Sequence, residues 1–147
     1  MTSLLDGEIE LDAKDIAGLR KQYEAEQPNP TAESEFHYGW GLVHSRVRRD
    51  NELGVVLLAK VAQSTPTLRV EANYFSALGY FKLGDLAKAR EFTEKVLKAH
   101  PAHPQARAVM AAIDEQVQKD GLVGMAIVGG AVAALGLVVG ALARSRK

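Results

Sequence analysis

The sequence predicts an all-α protein: a six-helix bundle with two tandem, repeating helix pairs, followed by one C-terminal transmembrane helix. Three observations predict it. Apolar residues recur at spacings of three and four, and nothing alternates with period two over a useful length. Two stretches of chain correspond at an offset of 35 residues. Leu122 to Ala143 is a run of 22 residues without a charge, an amide or a hydroxyl, closed by Arg144-Ser145-Arg146-Lys147.

Residues 1–8 form a short N-terminal arm with Leu4 and Leu5 beside Gly7. Chain ends commonly fray, and two leucines can also lie in a groove; the local sequence leaves both open. A first helix starts after Asp12, with Asp15 in the first turn, where an acid favours the positive end of the helix dipole. Ile16, Leu19 and Tyr23 share one face of it. Gln27-Pro28-Asn29-Pro30 ends it, because proline disfavours helix on its N-terminal side. Thr31 caps a second helix, expected to run to about Arg49. Phe36, Tyr38, Trp40, Leu42, Val43 and Val47 make it apolar on more than one face, so it belongs between neighbours, with Trp40 in the core. Arg49-Asp50-Asn51 is expected as a turn.

Gly54, Leu57, Leu58 and Val61 mark a third helix, and Ser64-Thr65-Pro66 restarts the chain with proline at a first helical position. The fourth helix spans roughly Thr67 to Leu83 and carries Tyr74, Phe75, Leu78 and Phe81. Gly84-Asp85 is a left-handed terminator followed directly by an N-cap. The fifth helix carries Leu86, Ala89, Phe92, Val96 and Leu97 and breaks at His100-Pro101-Ala102-His103-Pro104. Ala106, Val109, Met110, Ile113 and Val117 form a single stripe on the sixth.

As a helix, Leu122 to Ala143 is roughly 33 Å long, enough for a hydrocarbon core of about 30 Å. With only four residues after it, the span is expected to insert after synthesis and to leave the preceding domain in the cytosol, as a tail anchor. The expected organisation is an arm (1–8), a cytosolic helical domain (9–120), an anchor (121–143) and a basic tip (144–147). Gly136 and Gly140 form a GxxxG pair that can support homo-oligomerisation through the span. The moderate hydrophobicity of this glycine-rich span, with Arg144, Arg146 and Lys147 as a targeting tip, favours the mitochondrial outer membrane over the endoplasmic reticulum.

The formal net charge is zero, but the tip holds three of the 18 basic residues, leaving 15 basic against 18 acidic groups before it. No basic stripe recommends nucleic acid. Cysteine is absent, which excludes a disulfide framework and thiol chemistry. Met1 to Leu11 holds three acids and lacks the positive region of a secretory signal. His37 and His44 lie two turns apart, and His100 and His103 bracket a proline in a turn, so neither pair has zinc-ligand spacing. There is no phosphate-binding loop, nucleophile elbow or HExxH. The expectation is a protein with no cofactor, no metal and no catalysis.

In the 35-residue correspondence Pro66 matches Pro101, Val61 matches Val96, Asp50 matches Asp85, and Gly54 matches Ala89, where the two helices of a pair approach closely. A helix–turn–helix unit of about 34 residues with a closing proline is the tetratricopeptide pattern. Ala77, Tyr80, Lys82-Leu83-Gly84-Asp85, Ala89 and Pro101 make the second unit the clearer one.

Phe36-x-Tyr38-x-Trp40-x-Leu42-Val43-x-Ser45, Gly54-Val55-Val56-Leu57-Leu58 and above all Lys119-Asp120-Gly121-Leu122-Val123-Gly124-Met125-Ala126-Ile127-Val128-Gly129-Gly130 give the chain its resemblance to a known family. Over nearly its whole length it resembles the mitochondrial fission 1 proteins, tail-anchored adaptors of mitochondrial and peroxisomal division. The resemblance implies two divergent tetratricopeptide units capped by the first and last helices. It also implies recruitment of a dynamin-related GTPase, directly or through a soluble adaptor, and an arm that covers the groove with Leu4 and Leu5.

The first helix of each repeat lines a concave surface in such folds. The expected lining is Phe36, Gly39, Val43 and Val47 from one repeat and Tyr74, Leu78, Phe81 and Lys82 from the next, an apolar floor suited to a helix or extended segment. Two rival readings are an outer-membrane import or chaperone-type receptor and a tail-anchored apoptosis regulator. Import receptors with these repeats are typically anchored at the other terminus. A chaperone clamp needs Lys and Asn where Gly39 and Val43 stand. An apoptosis regulator needs an Asn-Trp-Gly-Arg motif that Gly39-Trp40-Gly41-Leu42 lacks.

Overall fold

The computed structural model describes residues 9–127. Its first helix, α1 (Ala13–Ala25), starts where the sequence puts it. The Asp12 carboxylate accepts the Asp15 N–H at 2.9 Å, and the Asp15 carboxylate accepts the Asp12 N–H at 3.3 Å. This reciprocal box satisfies two of the donors that a helix start leaves open. The N–H of Asp15, above all, holds the Asp12 carboxyl below its ordinary range.

α2 (Ala32–Val43) is capped by Thr31, whose hydroxyl accepts the Ser34 N–H at 3.1 Å. It ends at Val43 rather than near Arg49, and the expected turn Arg49-Asp50-Asn51 is instead the opening of α3 (Arg48–Ser64). The cause is a set of donors that captures the carbonyls at the end of α2. The buried Asn51 amide nitrogen lies 2.9 Å from the Leu42 oxygen, 3.1 Å from that of Val43 and 3.0 Å from that of Ser45. Lys82 Nζ donates to the Val43 oxygen at 2.6 Å. Ser45 Oγ donates to the Asp50 carboxylate at 2.6 Å and accepts the Val47 N–H at 3.1 Å. Carbonyls held in this way no longer need the next helical turn.

Pro66 opens a 3-10 turn, Pro66–Leu68, that leads into α4 (Arg69–Leu83). Gly84 follows at φ +82°, a conformation only glycine adopts without strain, and the Asp85 carboxylate accepts the Lys88 N–H at 3.0 Å to begin α5 (Leu86–Ala99). The last helix, α6 (Pro104–Ile127), starts against His103, whose Nδ1 accepts the Ala106 N–H at 3.1 Å. Among the described residues there is no strand, only an isolated parallel bridge between Leu11 and Ser45.

Consecutive helices from α1 to α5 pack on one another. The α2–α3 contact is close because both sides carry glycine: a Cβ on Gly54 would stand 2.9 Å from the Gly39 carbonyl oxygen. Val43, Val55, Leu58, Val61 and Leu78 fill the core among α2, α3 and α4. Ile16, Tyr38, Leu42 and Leu57 form a second cluster under α1. Glu35 is buried at the α2–α3 seam and accepts from Lys60 Nζ at 3.0 Å. That hydrogen bond and the carboxylate's charge raise the Lys60 ammonium above its ordinary range.

The chain divides into two compact units at Met110 and Ala111, with α6 common to both. In the second unit, Glu115–Lys119 (3.2 Å) and Gln116–Asp120 (3.0 Å) are i,i+4 pairs, and the helix continues unbroken past residue 120, where the sequence places the domain boundary. No helix among the described residues is long and apolar enough to cross a membrane. The expected span beyond Ile127 lies outside them, as do the arm residues Leu4 and Leu5 and the tip residues Arg144, Arg146 and Lys147.

Two outcomes are expected. Asn51→Ala strands the carbonyls at the end of α2 and lowers unfolding stability by roughly 2–3 kcal/mol. Asn51→Asp, equal in shape but unable to donate, costs at least as much; urea midpoints at neutral pH measure both. Because the fold raises the Lys60 pKa, its stabilisation is complete below the unfolded value and lost as pH rises through the folded one. The urea midpoint therefore falls on the alkaline side of the ordinary lysine range, and less so in Lys60→Met.

Candidate functional site

α2 and α4, the first helices of the two pairs, are joined by an unbroken file of rings. Trp40 lies 4.8 Å from His44, His44 5.7 Å from Phe75, and Phe75 5.0 Å from Tyr74. Tyr74 in turn lies 5.5 Å from His103 at the α5–α6 turn. Phe36 joins from the side, 6.0 Å from Phe75 in edge-to-face geometry. Such ring contacts contribute about 0.5–1.5 kcal/mol each beyond their buried area. His44 Nδ1 sits 2.8 Å from the Trp40 carbonyl oxygen, which makes Nδ1 the protonated nitrogen and fixes the ring between its neighbours.

Trp40, expected in the core, is placed differently by the structure. It is half-buried on this face instead of packed in the core. The glycines on either side of it show why. A Cβ on Gly39 would meet Leu58 of α3 at 2.9 Å, and one on Gly41 would collide with Leu19 of α1. With α3 and α1 pressed onto those two sides, the intervening side chain points to the open one.

The expected lining residues divide into two layers. Phe36, Tyr74, Phe81 and Lys82 are half-buried and reach the surface. Gly39, Val43 and Leu78, expected on the lining, lie beneath it: Val43 and Leu78 have no exposed surface, and Gly39 is occupied by α3. Val47 is 54% exposed but belongs to the start of α3, since α2 ends before it. His44, Phe75 and His103 are additions; the one local hint was His44, one helical turn after Trp40.

Lys82 holds the end of α2 as well as standing on this face. Beside the same α2 end the N-terminal segment is tied down. The Leu11 N–H donates to the His44 oxygen at 3.0 Å, and the Arg46 guanidinium pairs with Glu10 at 2.7 and 3.1 Å. A cavity of about 430 Å³ opens there among Leu11, Ser45, Val47 and Asp50. Among the described residues no three His, Cys, Asp or Glu side chains gather as a metal site.

A model described as the Fis1 N-terminal tetratricopeptide repeat matches residues 33–65, the α2–α3 pair. Another, the Fis1 C-terminal tetratricopeptide repeat, matches residues 70–122. The mitochondrial fission 1 protein of Neurospora crassa is 41% identical, over 96% of this chain and 92% of that protein. This chain belongs to the mitochondrial fission 1 protein family. A crystal structure of fission protein Fis1 from Saccharomyces cerevisiae superposes with a TM-score of 0.75 at 27% identity, covering 84% of this chain and 96% of that one. Yeast Fis1 in complex with an Mdv1 fragment containing N-terminal extension and coiled-coil domains gives 0.73 at 27% identity, covering 82% and 95%. As a member of the fission 1 family the chain is a tetratricopeptide-fold adaptor of mitochondrial fission, and not an enzyme.

The double duty of Lys82 has a measurable result. Lys82→Met is expected to lower stability by roughly 1–2 kcal/mol, because it removes a charge-assisted bond to a helix-end carbonyl. Thermal unfolding of this variant, run beside any binding assay, separates that loss from the loss of a partner contact.

Proposed function

We propose that this protein recruits the division machinery to the mitochondrial outer membrane, and to peroxisomes, through the ring-lined face of α2 and α4. The direct partner is a soluble adaptor with a helical or coiled-coil segment; a dynamin-related GTPase arrives through that adaptor or binds the same face itself. The accessible contacts are Phe36, Trp40, Tyr74, Phe81 and Lys82, supported from beneath by Gly39, Val43 and Leu78. The observation that carries this reading is the continuous apolar and aromatic file from Trp40 to Tyr74. Such a face accepts an amphipathic segment, and the crystallised complex of yeast Fis1 with an Mdv1 fragment supports an occupant of that kind.

The uncharged stretch 121–143 anchors the domain with its N-terminal part in the cytosol, and the tip 144–147 directs it. Residues 1–8 regulate access to the groove through Leu4 and Leu5, and the chain that follows them is tied to the His44 end of α2 at Leu11. Anchoring confines the groove to a surface and raises the effective concentration of any partner that also touches that membrane, so weak contacts suffice.

Deleting residues 122–147 is expected to leave a folded, soluble domain that recruits nothing to mitochondria. Phe81→Asp in the full chain is expected to stay on mitochondria and lose proximity labelling of both the adaptor and the GTPase. A truncated chain that still localises overturns the anchor, and unchanged labelling by Phe81→Asp overturns the groove.

A further inference from the structure

The ring file ends in a cleft that the apolar groove does not account for. Thr67 of the 3-10 turn, with Val70 and Glu71 of α4, forms one wall of an open space of about 620 Å³, and the turn carrying His100, Pro101 and His103 forms the other. Glu71 lies one helical turn before Tyr74 on the same side of α4, so the cleft continues the groove. The Glu71 side chain is exposed and makes no hydrogen bond or ion pair among the described residues. The nearest basic side chain in sequence, Arg69, is turned away, with its Nε donating to the Ala62 oxygen at 2.8 Å.

His103 Nδ1 accepts the Ala106 N–H, which leaves Nε2 as the ring's outward-facing donor. The ring lies 5.5 Å from Tyr74, tilted at 30° to it, so two planar groups stand at the end of the cleft that carries the exposed Glu71 carboxylate. This combination suits one side chain in particular. A guanidinium stacks on such planes and pairs in a fork with a carboxylate, whereas an ammonium has no plane to stack.

We propose that the cleft takes an arginine side chain of the partner segment that occupies the groove. The proposal rests on the groove being the docking face. It also sets a spacing: Glu71 and Phe81 are ten residues apart on α4, about 15 Å. The partner's arginine therefore stands about ten residues from its apolar anchor if that segment is helical, or four to five if it is extended.

The test uses the full chain in detergent micelles at neutral pH, with N-acetyl-argininamide as probe and amide chemical shifts as readout. Saturable shifts are expected at Thr67, Glu71, Tyr74 and His103. The neutral isostere N-acetyl-citrullinamide should produce none, and binding should be about tenfold weaker in Glu71→Gln. An unchanged Glu71→Gln spectrum away from the cleft shows that the variant is folded. Equal shifts with citrullinamide, or an unaltered titration of Glu71→Gln, overturn the proposal. Phe81→Asp should bind the arginine probe normally. If the cleft fails while Phe81→Asp still abolishes recruitment, the arginine site alone falls. If the probe binds and Phe81→Asp recruits normally, the groove and the partner assigned to it fall together.

Discussion

The arrangement depends on how α2 is stopped. An amide from α3 and an ammonium from α4 converge on the carbonyls of Leu42, Val43 and Ser45, so one polar junction fixes the end of α2, the start of α3 and the register of α4. Next to it, His44 faces two ways. Its carbonyl receives the incoming chain at Leu11, and its ring spans Trp40 and Phe75. Apolar burial supplies most of the stability, as in any small domain. The junction decides which apolar surface remains uncovered.

That uncovered surface is small and directional. Glycines at 39, 54 and 79 let α2, α3 and α4 approach closely enough to bury Val43, Leu58 and Leu78 completely. What reaches the surface around the buried His44 is largely aromatic, with Lys82 near one end and Glu71 near the other. A partner segment thus meets flat, polarisable rings over a rigid floor, a surface that orders few side chains on binding.

Much of this was legible locally. Asp12 and Thr31 are caps, Pro66 is a restart and Gly84-Asp85 is a terminator because each acts within three residues of itself, the range over which sequence patterns operate. The close approach at Gly54 followed from its match to Ala89. The end of α2 was not legible from helical spacing, since Asn51 acts eight and nine residues back and Lys82 acts across 39; the one local device is Ser45, whose hydroxyl accepts the Val47 N–H. For the same reason Gly39, Val43 and Leu78 were placed one layer too far out. Helical spacing assigns a face, but only the approach of α3 determines whether that face is covered. Trp40 is the converse case: its flanking glycines name the two covered sides, yet only once their neighbours are known.

The two repeats close their turns by different means. Between α4 and α5 a single left-handed glycine does it, and any residue that needs φ < 0 breaks it regardless of surroundings. Between α2 and α3 the closure is distributed over Ser45, Asp50 and Asn51 beside the turn and Lys82 on α4. Over evolutionary time the first joint should drift as a set, with compensating exchanges among those four positions, whereas the second should stay frozen at one. A divergent first repeat beside a recognisable second is the sequence record that such a difference would leave.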